Sequence, residues 1–300
     1  MSTSVFVIVN PAAGRGRSVQ RLAAFQSCMG DGVIAGVLYT REPGDEERLA
    51  SLALEKGASI LVAVGGDGTC SGIANAVIQA GGEAQFAVIP SGTGNDFAKT
   101  LGIEKQTPQQ IAALILRGAA TEMDVGRADG RYFLNSCGFG FDASVLEGAQ
   151  RVRLLKGDAV YIFSALRQLL TYRGIHVCVN SDANADARKM LMLTVSNGRY
   201  LGGTFRIAPN ASVVDGELDV GFFGDAGVFG RVRIFARAFS GTHLGLPAVN
   251  TLQASSMAFR FSQPPKMEVD GELRQAESMT VNIECLPRAL SVIAAPGYPL

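Results

Sequence analysis

The chain has 300 residues, 47% of them apolar, enough to bury large cores and a length that suits two domains better than one or three. Lys plus Arg and Asp plus Glu are balanced at 27 each, so no global field draws the chain onto nucleic acid and any anionic partner has to be recognised locally. Five scattered cysteines with no CxxC pair argue against a disulfide framework and a zinc site, and no apolar run approaches the roughly 20 residues needed to span a bilayer.

Met1-Ser2-Thr3-Ser4 has no basic region or cleavage site and leads straight into Val5 to Val9, which reads as a first strand. Without a secretion signal, a cytoplasmic protein is expected. A polar loop, Asn10 to Arg17, follows, then a helical pattern with Val19, Leu22, Ala23 and Phe25. Val33 to Tyr39 reads as a second strand and Asp45 to Lys56 as a second helix ended by Gly57. Two strands then run into glycine-rich turns: Ile60 to Val64 into Gly65-Gly66-Asp67-Gly68-Thr69, and Phe86 to Pro90 into Ser91-Gly92-Thr93-Gly94-Asn95-Asp96. Gln109 to Arg117 is a further helix, capped by Gly118.

Apolar strands alternating with helices predict a parallel sheet covered on both faces, whose carboxyl-end loops converge on one crevice. The Asn10 to Arg17 loop and the two glycine turns should therefore meet. A buried strand that ends in glycines and enters a helix leaves N–H groups uncovered and lets an anion come close. Each turn also carries an aspartate, which would repel bare phosphate and makes sense if a divalent cation sits between them. The pattern points to a nucleotide–metal site.

Past Asp124 the texture changes to β-type segments: Tyr132 to Asn135, Ile175 to Asn180, Leu191 to Ser196, Glu217 to Phe223, Ala258 to Ser262, Lys266 to Val269 and Thr280 to Ile283. Many are separated by Asp-Gly or Asn-Gly turns, the chemistry of antiparallel hairpins, so a β-sandwich is expected. Two amphipathic helices interrupt it. One places Ala159, Ile162, Phe163, Leu166, Leu169 and Leu170 on a shared face, the other Val228, Phe229, Val232, Phe235 and Phe239, and both faces read as core rather than as a cavity lining or a headgroup surface. His176 and His243 read as structural.

Six motifs occur in an order that resembles the bacterial diacylglycerol kinase and sphingosine kinase family. They are Asn10-Pro11 with the following Gly14 and Arg15, the Gly65-to-Thr69 turn, Pro90 to Ala98, Gly138-Phe139-Gly140-Phe141-Asp142-Ala143, Ala208-Pro209 before Asp215 to Asp219, and Val269-Asp270-Gly271-Glu272. The resemblance implies an α/β, three-layer N-terminal domain like that of NAD kinases over 1–125 and an all-β sandwich-type domain over 126–300, the extreme C-terminus being free to return to the first. It implies an ATP-dependent lipid kinase acting at the membrane surface, with diacylglycerol the leading acceptor and Mg²⁺ the cation. A homodimer stays open. An NAD kinase-like enzyme with a soluble acceptor and a non-catalytic nucleotide-binding regulator are the alternatives.

The residues take parts accordingly. Gly65, Gly66, Gly68 and Thr69 are expected at the phosphates, with Asn10, Gly14, Arg15 and Arg17 from the first loop and Thr40 near the adenine. Ser91, Gly92, Thr93, Gly94 and Asn95 form the second phosphate loop. Asp67 resembles the family's nucleotide-metal aspartate, Asp96 orients a metal water or the lipid hydroxyl, and Asp124 resembles an acid of a carboxylate–water–magnesium network. Glu272 is the candidate general base, projected by a turn in which Asp270 serves as a turn former. A second, structural Mg²⁺ is implied near Asp215, Leu218 and Asp219. One departure stands out: many family members carry an acid where this chain has Gly72.

Overall fold

The computed structural model describes residues 3–151, 164, 167–179 and 187–300, and divides into two compact units. The first comprises Met1–Val125, Ser212–Gly216 and Leu286–Leu300, the second Gly126–Ala211 and Glu217–Cys285.

The first unit is built on four parallel strands, β1 (Val5–Val9), β2 (Ile34–Tyr39), β3 (Ile60–Gly65) and β4 (Gln85–Pro90), in the order β2-β1-β3-β4. Register is regular: Val7 faces Val37 on one side and Val62 on the other, and Ala63 faces Val88. Every residue of β1 and β3 is buried, as expected for parallel strands covered on both faces. The covering helices are α1 (Arg17–Gln26), α2 (Asp45–Glu55), α3 (Asp67–Gln79), α4 (Asp96–Thr100) and α5 (Pro108–Leu116), with α1 packed on α5 and α2 on α3. Local sequence sets their ends. Thr107 and Gln110 form a reciprocal capping box before Pro108, and Gly57 and Gly118 follow their helices at φ 81° and 65°.

The helix after the first glycine turn begins at Asp67, so Gly65 ends β3, Gly66 alone lies between strand and helix, and the rest of the motif is the helix's first turn. The last strand, expected over Thr280 to Ile283, runs from Thr280 to Ile293. Pro287 lacks a ladder donor, and the strand passes it through a bend, with Arg288 at φ 52°. Beyond the bend it pairs with β4, Val292 facing Phe86.

The second unit is antiparallel. Arg188–Ser196 is its centre, paired with Ser136–Gly140, Ile175–Val179 and Leu218–Gly224. Its side chains alternate between two cores: Leu193 and Val195 join Phe139 and Phe259, while Leu191 joins Phe223 and Ile234. The Ser136–Gly140, Val249–Ala254 and Glu272–Gln275 strands were not anticipated. The first carries two glycines in five residues and the other two are short of apolar residues, so none has a strong strand signature.

Of the two amphipathic helices, Ala159, Ile162, Phe163 and Leu166 lie outside the described residues, and Leu170 is exposed. The second helix, Val228–Ala238, corrects the core reading. Its buried residues are Arg231, Ile234 and Ala238, whereas Phe229 is 93% exposed and Val228, Val232 and Phe239 are exposed as well. His243 is buried, with Nε2 3.1 Å from the Ile207 carbonyl oxygen and its ring stacked on Phe223, while His176 is exposed in its strand.

Candidate active site

The three loops at the carboxyl ends of β1, β3 and β4 come together within the first unit. A Cβ on Gly92 would lie 2.6 Å from the Gly66 Cα, and one on Gly14 would lie 2.0 Å from the Ser91 carbonyl oxygen. Backbone meets backbone at both places, so only glycine fits. Gly14 also stands at φ 58° and Arg15 at φ 59°, a left-handed pair that turns the first loop into α1. Ser91 N–H bonds to the Gly65 carbonyl at 2.7 Å, and Asn95, at φ 53°, closes its own turn by accepting from Gly92 N–H and donating to Gly92 O.

Gly68 differs from these. A Cβ there would meet nothing within 4 Å, and α3 starts without a side-chain cap. Its first turn thus presents backbone to open space, the arrangement that accepts a phosphate oxygen. Thr69 turns inward: its side chain is 2.4 Å from where a Gly65 Cβ would be, and Oγ1 accepts from Asn10 Nδ2 at 3.3 Å. Asn10 also holds its own loop, Oδ1 accepting from Ala12 N–H at 3.1 Å. Arg15 and Arg17 are exposed, with Arg17 Nε on the Gly14 carbonyl, and Thr40 is buried at the end of β2 with its N–H on Val9 O.

Asp67 Oδ1 accepts the Phe97 N–H at 3.0 Å and so ties the first glycine turn to the second. Asp96 is buried and paired at 3.1 Å with Lys99, three residues on in α4, a cation not among the residues expected from the sequence. Asp124 is buried, one oxygen accepting from Gly216 N–H at 2.7 Å and the other from Arg288 N–H at 2.8 Å. It clasps two distant segments of the first unit.

Two further residues were not read from the sequence. Arg21 donates to the carbonyls of Pro90 and Gln106, fixing α1 to the segments around the second turn. Glu46 is buried, accepts from Asn10 Nδ2 at 3.5 Å and Gly44 N–H at 3.1 Å, and lies directly over Gly72, whose Cβ would be 2.8 Å from the Glu46 Cβ. The acid missing from position 72 is thus matched by one on the neighbouring helix. Only the tertiary contact reveals it.

In the second unit Glu272 is exposed at the start of its strand, Oε2 accepting from Arg274 at 2.9 Å. The turn before it is firmly held. Asp270, read as a turn former, is buried and accepts the N–H groups of Leu134, Asn135 and Ser136, and Gly271 N–H donates to Glu268. Glu268 and Asp142 converge on Gly138: a Cβ there would lie 1.6 Å from Asp142 Oδ2 and 3.3 Å from Glu268 Oε2. Burial pushes the Asp142 carboxyl up to about 7, and burial next to Glu268 and Asp142 pushes the Cys137 thiol well up.

The residues expected around a second cation are placed as follows. Among the described residues no group of three or more His, Cys, Asp or Glu side chains is placed to hold a metal. Leu218 is in strand, paired to Ala254, and its side chain is in the core; Asp219, next to it, faces Gln253, whose amide donates to Asp219 Oδ2 at 3.4 Å. Asp215 is exposed. Strand pairing, rather than a loop, takes up the later half of the acidic run.

Family models match both parts of the chain: a diacylglycerol kinase catalytic domain over residues 4–128 and a YegS C-terminal NAD kinase beta sandwich-like domain over 135–294. The chain is 32% identical over 288 residues to a YegS-like lipid kinase of Pseudomonas putida, covering 92% of each. It is 26% identical over 268 residues to the diacylglycerol kinase of Bacillus subtilis, covering 89% of this chain and 88% of that one. In fold it is similar to a diacylglycerol kinase structure from Bacillus anthracis, with a TM-score of 0.71 at 21% identity over 98% of this chain and 97% of that one.

Proposed function

The chain belongs to the lipid kinase family defined by a diacylglycerol kinase catalytic domain and a YegS-type C-terminal domain, and from that premise we propose that it transfers the γ-phosphoryl group of ATP to the free hydroxyl of diacylglycerol. The product is phosphatidic acid. The observation that carries the reading is the gathering of three glycine loops around the open first turn of α3, with Gly68 facing space that a phosphate can occupy. Membership of a kinase family sets aside the non-catalytic alternative, and relatives named as lipid kinases favour a lipid over a soluble acceptor.

Phosphoryl transfer asks the protein mainly for alignment and charge neutralisation. Gly65, Gly66, Gly68 and the Ser91-to-Asn95 turn supply close backbone approach, and Arg15 and Arg17 stand exposed beside them as donors for phosphate oxygens. Asn10 and Thr69 brace the first two loops through their mutual hydrogen bond, and Thr40 lies at the adenine end. Mg²⁺ would neutralise charge between phosphates; such sites take one or two carboxylates and the phosphates themselves, which suits Asp67 without a protein cage. Asp96, with Lys99, orients the acceptor side, and Asp124 acts by holding the Gly216 turn. Glu272, exposed on a hairpin fixed by Asp270, receives the hydroxyl proton.

Among the described residues no helix is long and apolar enough to cross a membrane. The reading includes a cytoplasmic enzyme that meets its lipid at the bilayer surface. The test is a Mg²⁺-dependent assay with ATP and micellar diacylglycerol, ceramide, sphingosine and NAD in parallel. Phosphatidic acid as the dominant product is expected. Turnover of NAD or of a sphingoid base in preference to diacylglycerol would replace the acceptor.

A further inference from the structure

The Val228–Ala238 helix is amphipathic in the opposite sense to its sequence pattern. Its inner side is pinned by Ile234 and Ala238 in the core and by the ring of Phe235, 4.7 Å from that of Phe141 and 5.9 Å from that of Phe205. Arg231 is buried there too, donating to the carbonyls of Ala226 and Leu169 and lying 3.6 Å from Asp225. Three large apolar side chains are left outside: Phe229 at 93% exposure, Phe239 at 55% and Val232 at 47%.

At about 100° per residue, Val228, Phe239, Val232, Ala236 and Phe229 fall on one arc of the helix, and exposed Arg233 and Arg237 continue it. No acid occurs between Val228 and Phe239. The face is therefore an apolar ridge edged by two guanidinium groups with no carboxylate on their own helix, on a chain of zero formal net charge whose attraction to an anionic surface has to be local. A protein partner of ordinary mixed charge would not call for that pairing. An anionic bilayer does: aromatic and branched side chains enter the acyl boundary while arginines remain at the phosphates.

We propose that Phe229, Val232 and Phe239, with Arg233 and Arg237, form the surface by which the enzyme docks on an anionic lipid bilayer. The inference rests on the lipid kinase assignment and adds to it the face that reaches the substrate's phase. Because the helix is held from within by Phe235 and Arg231, its outer side chains can be changed without disturbing the core.

The full chain should be sedimented with vesicles of phosphatidylcholine alone or with about a third phosphatidylglycerol, expecting wild type to partition at least about tenfold more strongly onto the anionic vesicles. Phe229→Ser with Val232→Ser should lower that partition by about tenfold or more, and Arg233→Gln with Arg237→Gln should erase the preference for phosphatidylglycerol. Both pairs should keep wild-type turnover on diacylglycerol dispersed in detergent micelles. Unchanged partition in both double variants overturns the proposal, as does a Phe229/Val232 variant that converts a dimer to a monomer and still binds vesicles as wild type does, which would assign the face to a second copy of the chain. Vesicle partition is read without turnover, so failure to phosphorylate diacylglycerol would count against the acceptor and leave the docking result standing.

Discussion

Asp67 accepts the N–H of Phe97 at 3.0 Å, so the aspartate of one glycine-rich turn caps the short helix that begins in the other. That bond gives the side chain two duties that substitution can separate. Asp67→Asn keeps an oxygen for Phe97 but loses the charge; it should melt within a few degrees of wild type while kcat falls by roughly 100-fold or more. Asp67→Ala loses both and should also be destabilised by about 1 kcal/mol. Thermal melts beside ATP-dependent turnover separate the two, and wild-type kcat in Asp67→Asn would remove this residue from the reaction.

Two glycines separate fold from ligand in the same way. Gly14→Ala puts a side chain on a left-handed residue and 2.0 Å from a carbonyl oxygen, and should cost roughly 1–3 kcal/mol of stability. Gly68→Ala has nothing within 4 Å to collide with and lies in the first turn of α3, so the melt should be unchanged or slightly raised while the methyl group takes space meant for phosphate and raises KM for ATP by about tenfold or more. A wild-type KM in Gly68→Ala would place the phosphates elsewhere.

What could be read in the sequence and what could not follow from the range of the interactions. β1, β3 and β4 are short apolar runs punctuated by glycine, and local pattern suffices for them. Glu46 and Asp270 escaped because their importance lies in partners on other elements, and a buried acid accepting three backbone N–H groups looks like any Asp-Gly turn in one dimension. The Val228–Ala238 helix failed for another reason. Periodicity finds an apolar face and assumes it points inward, and here one buried arginine and the Phe235 ring set the rotation instead.

Gly72 is a case where the usual substitution rule should reverse. Gly→Ala within a helix normally gains up to about 1 kcal/mol. Here the new Cβ would lie 2.8 Å from the Glu46 Cβ, an atom too close to the backbone of α2 to swing aside. Gly72→Ala should therefore be destabilised by roughly 1–2 kcal/mol, with KM for ATP rising because Glu46 carries the Asn10 amide with it. Glu46→Gln retains an acceptor for Asn10 and should be milder than Glu46→Ala. A stabilised Gly72→Ala in urea unfolding would show that the two helices part freely.

The last prediction concerns pH. Asp142 is held at about 7 by burial, whereas in the unfolded chain it titrates near 3.9. Between those values the native protein keeps a proton that the unfolded chain has released, so this group makes stability fall as pH rises from about 4 to 7, by a few kcal/mol in all, with no further change above. Asp45 and Asp225 act in the opposite sense and lower in pH, since hydrogen bonds to Arg41 N–H and to Lys189 hold their carboxyls below the usual range. The readout is therefore the difference between Asp142→Asn and wild type, measured by urea unfolding at a series of pH values. That difference should move in favour of the variant across this window, because an amide next to Glu268 has no proton to lose. A difference that stays constant from pH 4 to about 8 would show that Asp142 ionises in the native state as freely as in the unfolded chain.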